Sequence, residues 1–162
     1  MANQNGNFGF RPVLMMGSAY NGQGQQQMTI ASNETNSIFM GDPVVLNANG
    51  SISRGSSAGA ELVGIFNGCF YTDPTTQKPT FQNHYPGAIV ADDIVANVIS
   101  DPNVIFEVKV DDTNGGRAQV GSTANIATYS AGNTKSGISN VALDGDTFAT
   151  SNASNFAVYD LS

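Results

Sequence analysis

Two apolar runs flank an Asn-Gly pair in ELVGIFNGCFY, residues 61–71, and no other feature constrains the fold as tightly. Asn-Gly tolerates positive φ at both central positions of a type I′ turn, whose twist matches that of paired strands. The sequence therefore predicts a tight β-hairpin closing on Asn67-Gly68. In that register Phe66 faces Cys69, Ile65 faces Phe70, Gly64 faces Tyr71 and Val63 faces Thr72. One face then carries Val63, Ile65 and Phe70, and on the other the Tyr71 ring lies across Gly64. Upstream, residues 41–54 (GDPVVLNANGSISR) read as a strand, a turn at residues 47–50 and a returning strand. Gly41-Asp42-Pro43 is a bend, because proline has no N–H to give a ladder.

The same alternation of apolar runs and breakers continues along the chain. In residues 94–100, Ile94, Ala96 and Val98 share one side and Val95, Asn97 and Ile99 the other. Asp101-Pro102-Asn103 ends that strand. Residues 104–110 alternate most cleanly, with Val104, Phe106, Val108 and Val110 on one face and Ile105, Glu107 and Lys109 on the other. Residues 73–79, 111–116 and 131–137 read as loops, residues 117–126 as a weaker strand, and Asp144-Gly145-Asp146 as a turn. Phe156 and Val158 alternate with Ala157, Tyr159 and Leu161 at the end of the chain. Strands at intervals of about 8 to 12 residues with Gly, Asn and Asp between them imply an all-β fold. The expectation is a compact antiparallel β-barrel or β-sandwich with an extended N-terminal arm.

Residues 1–36 stand apart, since polar tips flank the apolar run FGFRPVLMM. They read either as an arm that adds a strand to a neighbouring sheet, or as a first hairpin turning at residues 21–24. Residues 37–162 form the single β domain that a chain of 162 residues suggests.

Composition limits the partners. Only 12% of residues are charged, and the net charge of -7 with six scattered Lys and Arg opposes nucleic-acid binding, which needs clustered cations. The single Cys69 excludes an intrachain disulfide and reads as a small core hydrophobe. The N-terminus lacks a basic signal-peptide start, and no run approaches the ~20 apolar residues of a membrane span. The expectation is a soluble, unprocessed chain.

Chemistry finds little support. GSSAG at residues 55–59 has the spacing of a nucleophile elbow centred on Ser57, with Asp73 and His84 following, but both flanks read as strands and an elbow needs a strand turning into a helix. His84 is the only histidine and reads as an exposed loop residue. Asp92-Asp93, Asp111-Asp112 and Asp144-Gly145-Asp146 offer oxygens to Ca²⁺ without matching a calcium loop, and turn-forming aspartates explain them more simply. No catalytic residue, metal or cofactor is expected.

In chain order, GDPVVL with NGSI, LVGIFNG followed by CFYTD, YPG, ANVISDPNVIFEV, VGSTANI and SGISNVALD resemble the head decoration, or cement, proteins of tailed bacteriophages, especially those of marine podoviruses. The resemblance spans roughly residues 38–144, and SDPNVIFEV at residues 100–108 is its most specific piece. It implies a non-enzymatic β protein on the outer surface of the virion, made in the host cytoplasm. Its implied partners are the major capsid protein, whose subunits it bridges, and itself, as a dimer or trimer. By residue type, capsid contacts are expected at Phe8, Phe10, Pro12, Leu14 and Met15, and on a second surface at Phe81 and Tyr85 with Pro86. Deleting residues 1–16 should then abolish capsid binding and spare the β circular-dichroism signal. The alternative is a receptor- or carbohydrate-binding module of a fibre or head appendage, for which Tyr20, Tyr71 and Tyr85 are the available aromatics.

Overall fold

The computed structural model describes residues 6–16, 24–55, 61–111, 116–127, 129–149 and 156–160. Among them lie strands β1 (Arg11–Met15), β2 (Gln25–Ile30), β3 (Ile38–Phe39), β4 (Pro43–Leu46), β5 (Ser51–Arg54), β6 (Leu62–Thr72), β7 (Pro79–Gln82), β8 (His84–Tyr85), β9 (Val95–Ile99), β10 (Val104–Glu107), β11 (Thr123–Ala124) and β12 (Phe156–Ala157). The fold is all-β, and five strands close a barrel in the order β4-β5-β2-β9-β6 and back to β4. Four of the five seams are antiparallel. The fifth, β2 against β5, is parallel, so the wholly antiparallel barrel expected from the sequence is corrected at that seam. The chain reaches β5 from β2 through β3 and β4, long enough to bring it back in the same direction.

The predicted hairpin at Asn67-Gly68 does not form. Residues 62–72 are one continuous strand, paired along one edge with β9 and along the other first with β4 and then with β7. Ile65 faces Ile99, Phe66 faces Val98, Cys69 faces Ala96 and Phe70 faces Val95, so none of the expected cross-turn pairs exists. Between the Phe66–Val98 and Cys69–Ala96 pairs, two β6 residues stand opposite the single Asn97 of β9: Asn67-Gly68 is a β-bulge. The physical reason is the backbone. A type I′ turn needs positive φ at both central residues, and here only Gly68 has it, at 108°.

The extra residue reverses which side of β6 faces inward. Phe66 points into the barrel before the bulge, and Cys69 and Tyr71 do so after it, while Ile65 and Phe70 face outward. Gly64 is crowded by β9 instead of by Tyr71, since a Cβ there would run into the Ile99 carbonyl.

Inside the barrel, Ile30, Val44, Ile52, Phe66, Cys69, Tyr71, Ala96 and Val98 pack with Ile38, Tyr85 and Ile94, which close over it. The faces read from residues 94–98 hold, with Ile94, Ala96 and Val98 all buried. A second cluster covers the outward-facing Ile65 with Phe10, Ala124, Ile126, Val141 and Leu143, edged by Phe106, Val108, Val110, Tyr129, Phe148 and Phe156. This outer layer is made of short pieces: β11 paired with β12, isolated bridges such as Val110 with Leu143, and 3-10 turns at Arg117–Gln119 and Gly145–Thr147. The weaker strand expected from residue 117 thus opens as a 3-10 turn.

The real hairpins lie on either side of the bulge. Residues 47–50 turn β4 into β5, with the Gly50 N–H donating to the Asn47 carbonyl at 2.9 Å. Asp73 closes the β6–β7 loop by accepting from the Thr75 and Thr76 N–H groups at 2.7 and 2.9 Å. At the N-terminus, β1 pairs with β10 of its own chain and β2 enters the barrel, so the two do not form a first hairpin. Residues 21–23 of the expected turn lie outside the described residues.

Candidate functional site

The contact residues expected from the sequence separate into exposed and buried sets. β1 is bulged at Val13, between the Pro12–Phe106 and Leu14–Ile105 pairs, and among the described residues only β10 pairs with it. Leu14 is 59% exposed, and two neighbours the sequence reading missed join it: Val13 at 54% and Met16 at 46%. Pro12 and Met15 are half-buried, and with Val13, Leu14 and Val104 they line a shallow open groove of about 290 Å³. The signal that could have found Val13 and Met16 was the break in alternation within PVLMM, which cannot bury every apolar residue on one face. Arg11 and Glu107 form an exposed ion pair at one end of this strip, and the Arg11 guanidinium sits over the half-buried Phe8 ring at 5.2 Å.

Phe10 and Tyr85 leave the candidate surface. Phe10 is buried in the outer layer, stacked on Phe156 at 4.3 Å and edge-on to Phe106 at 6.2 Å. Its N–H donates to the Gly41 carbonyl at 2.9 Å, which draws it under the layer. Tyr85 is sealed in the barrel cluster, where its hydroxyl donates to the Glu34 carbonyl at 3.0 Å and accepts from the Ile89 N–H at 3.2 Å. Burial also pushes its phenol above the usual tyrosine range. Deleting residues 1–16 would therefore remove Phe10 from a core, and loss of binding in that variant would not isolate a surface.

Phe81 is the most exposed large apolar side chain named, at 78%, on β7 at the edge of the barrel sheet. It rests against Phe70 with ring centroids 4.7 Å apart, and Phe70 faces outward because of the Asn67-Gly68 bulge. β1 and β7 belong to different sheets, so the two candidate surfaces are not joined by any ladder. Of the tyrosines considered for carbohydrate, Tyr71 and Tyr85 are buried and Tyr20 lies outside the described residues.

The reactive side chains are engaged elsewhere. Ser57 lies outside the described residues, while β5 and β6 flank its loop as strands. His84 is a half-buried strand residue, not an exposed loop residue, with its ring stacked on Phe39 at 5.6 Å and its pKa lowered by burial. Asp73 sits in the β6–β7 loop, its carboxylate committed to backbone N–H groups that hold its pKa below the usual range. Cys69 is buried, which pushes its thiol up to about 12 and leaves it protonated.

Of the carboxylates considered for Ca²⁺, Asp93 accepts from the Thr72 N–H and hydroxyl, which lower its pKa. Asp111 accepts from the Gly145 N–H at 3.2 Å and Asp144 from the Asp146 N–H at 3.0 Å. The fold thus brings Asp111 beside the Asp144 turn, but among the described residues no group of three or more His, Cys, Asp or Glu is placed to hold a metal ion. Asp112 lies outside those residues. No known family, no curated protein and no solved structure matches the chain.

Proposed function

We propose that the protein is a non-enzymatic decoration protein of a tailed-phage head. In this reading it binds the outer surface of the capsid, bridges subunits of the major capsid protein and works as a dimer or trimer. The observation that carries the reading is the exposed apolar strip at β1, with Val13 and Leu14 uncovered on the strand, Met16 uncovered just past its end, and residues Pro12–Met15 lining a groove. Soluble proteins seldom leave adjacent large apolar side chains uncovered unless another surface covers them. The sequence resemblance supplies the identity of that surface, and the net charge of -7 suits the exterior of a DNA-filled shell better than its lumen.

The strip acts as one of many modest contacts repeated over the lattice, and an oligomer engaging several sites gains by effective concentration. The test is Val13→Asp with Leu14→Asp, assayed by co-sedimentation with expanded capsids. Both side chains are exposed, so the β circular-dichroism signal and thermal midpoint should hold while binding falls. Unchanged capsid binding would overturn the proposal.

One observation favours the second reading. The exposed Phe81 ring braced by Phe70 is an aromatic platform of the kind a sugar ring stacks on. Glycan-array binding lost on Phe81→Ala, with no capsid binding by the unaltered protein, would place the function there.

A further inference from the structure

Asp42 sits where the barrel, the β3 turn and the outer layer meet, and it is 0% exposed. Its backbone belongs to the barrel wall: the Asp42 carbonyl accepts from the Phe66 N–H at 2.8 Å. One carboxyl oxygen, Oδ2, accepts from the Phe39 N–H at 2.9 Å and from the Tyr129 hydroxyl at 3.1 Å. The other, Oδ1, has no hydrogen-bond partner among the described residues. Tyr129 belongs to the outer layer, and the Arg54 guanidinium of β5 lies 3.7 Å over its ring while donating to the Ser37 carbonyl at 3.3 Å. The same junction is stitched by the Met40 N–H to the Gly137 carbonyl and the Ser139 N–H to the Met40 carbonyl, both at 2.9 Å.

We propose that Asp42, Tyr129 and Arg54 form a proton-linked latch that fastens the outer layer to the barrel while the Asp42 carboxyl is neutral and loosens it when that carboxyl ionises. A charge created at a site without solvent, with one oxygen unbonded, is stabilised by water that only opening can admit. The groups facing Asp42 are the Phe39 N–H and the Tyr129 hydroxyl, both bonded to Oδ2, the nearby Ser139 hydroxyl, which makes no hydrogen bond of ordinary geometry to it, and the Arg54 cation. These neighbours all favour the ionised form, but burial outweighs them and the carboxyl is held above its ordinary range. Tyr129 does not titrate against it, since burial and the neighbouring Asp42 push its phenol up to about 12 and it remains the donor.

A group whose folded pKa is raised stabilises the closed state fully below its unfolded value, and that contribution is lost as pH rises through the folded value. The latch is therefore fast in acid, loosens as pH climbs from the ordinary carboxyl value to the raised pKa of Asp42, and is fully loosened above it. It stands on geometry within one chain and does not depend on the capsid reading.

Hydrogen-exchange protection, corrected for intrinsic rates, tests it from about pH 4 to pH 8. The Ser139 and Met40 amides should lose about tenfold protection for each pH unit between the ordinary and the raised value, while β9 amides stay level. Asp42→Asn should flatten the Ser139 response. Tyr129→Phe, which keeps the ring under Arg54, should lower Ser139 protection at every pH and leave its slope. Protection of Ser139 that is flat with pH in the unaltered protein, or a slope that persists in Asp42→Asn, would overturn the latch. Should Asp42→Asn not fold, the unaltered protein and Tyr129→Phe still decide, by a flat Ser139 response or by a Ser139 protection that Tyr129→Phe leaves unchanged.

Discussion

The barrel and the layer over its Ile65 face both bury aromatic and branched side chains, yet they are held by different means. In the barrel every strand is hydrogen-bonded along both edges, so no residue leaves without breaking ladders to two neighbours. In the outer layer, apart from the β1–β10 ladder at its edge, the pieces are two-residue strands, isolated bridges and 3-10 turns, joined to the barrel by Phe10, the Met40 stitches and the Asp42 latch. Apolar burial alone therefore does not decide how cooperatively a region unfolds. The continuity of its backbone pairing does, and the layer is the natural low-stability unit of this molecule.

Phe66→Ala tests the barrel side hardest. It empties the centre of a closed core and should cost about 3 to 5 kcal/mol, read as a drop in the single denaturation midpoint seen by every probe. Phe10→Ala should cost about 3 kcal/mol within the layer. Its signature is selective loss of exchange protection at Val141 and Leu143 with β9 unchanged. Equal loss in both regions would show that barrel and layer unfold as one unit.

Gly68→Ala comes next, at about 1 to 3 kcal/mol, because a side chain at φ 108° is strained and its Cβ would lie 3.0 Å from the Gln82 carbonyl. Gly116→Ala is the matched control, with nothing within 4 Å and no positive φ, and should leave the midpoint in place. Glu107→Gln, which breaks the exposed ion pair with Arg11, should cost less than about 1 kcal/mol and fade with added salt.

Acid acts on a third place, the β6–β7 loop. The Asp73 and Asp93 carboxylates are held below the ordinary range by N–H and hydroxyl donors, so the stability they contribute is present above about pH 3.9 and is lost as pH falls through their lowered values. Exchange at Thr75 and Thr76 should rise there first. The loop and the Asp42 latch thus respond to pH with opposite sign.

Much of the strand content was legible one segment at a time. The side-to-side alternation of residues 94–98, the break at Asp101-Pro102-Asn103 and the turn at residues 47–50 are local properties, set by side-chain period and by residues that cannot continue a ladder. The candidate site was half legible. Pro12, Leu14, Met15 and Phe81 were named from apolar character in polar surroundings, but character does not report burial, so Phe10 and Tyr85 were included and Val13 and Met16 omitted. Nor does any local pattern join Asp42 to Tyr129, which are 87 positions apart.

Asn67-Gly68 separates what each level of description determined. The sequence by itself permitted the backbone to take positive φ within residues 61–71, because glycine admits a conformation that other residues resist. A hairpin turn and a β-bulge both use that permission, and the local residues do not distinguish them. The tertiary structure chose the bulge, because a straight-running β6 pairs with β4, β7 and β9 and closes the barrel, whereas a turn would give up those ladders for four local pairs. That choice set the parity of everything after it, sending Cys69 and Tyr71 into the core and Phe70 out to meet Phe81.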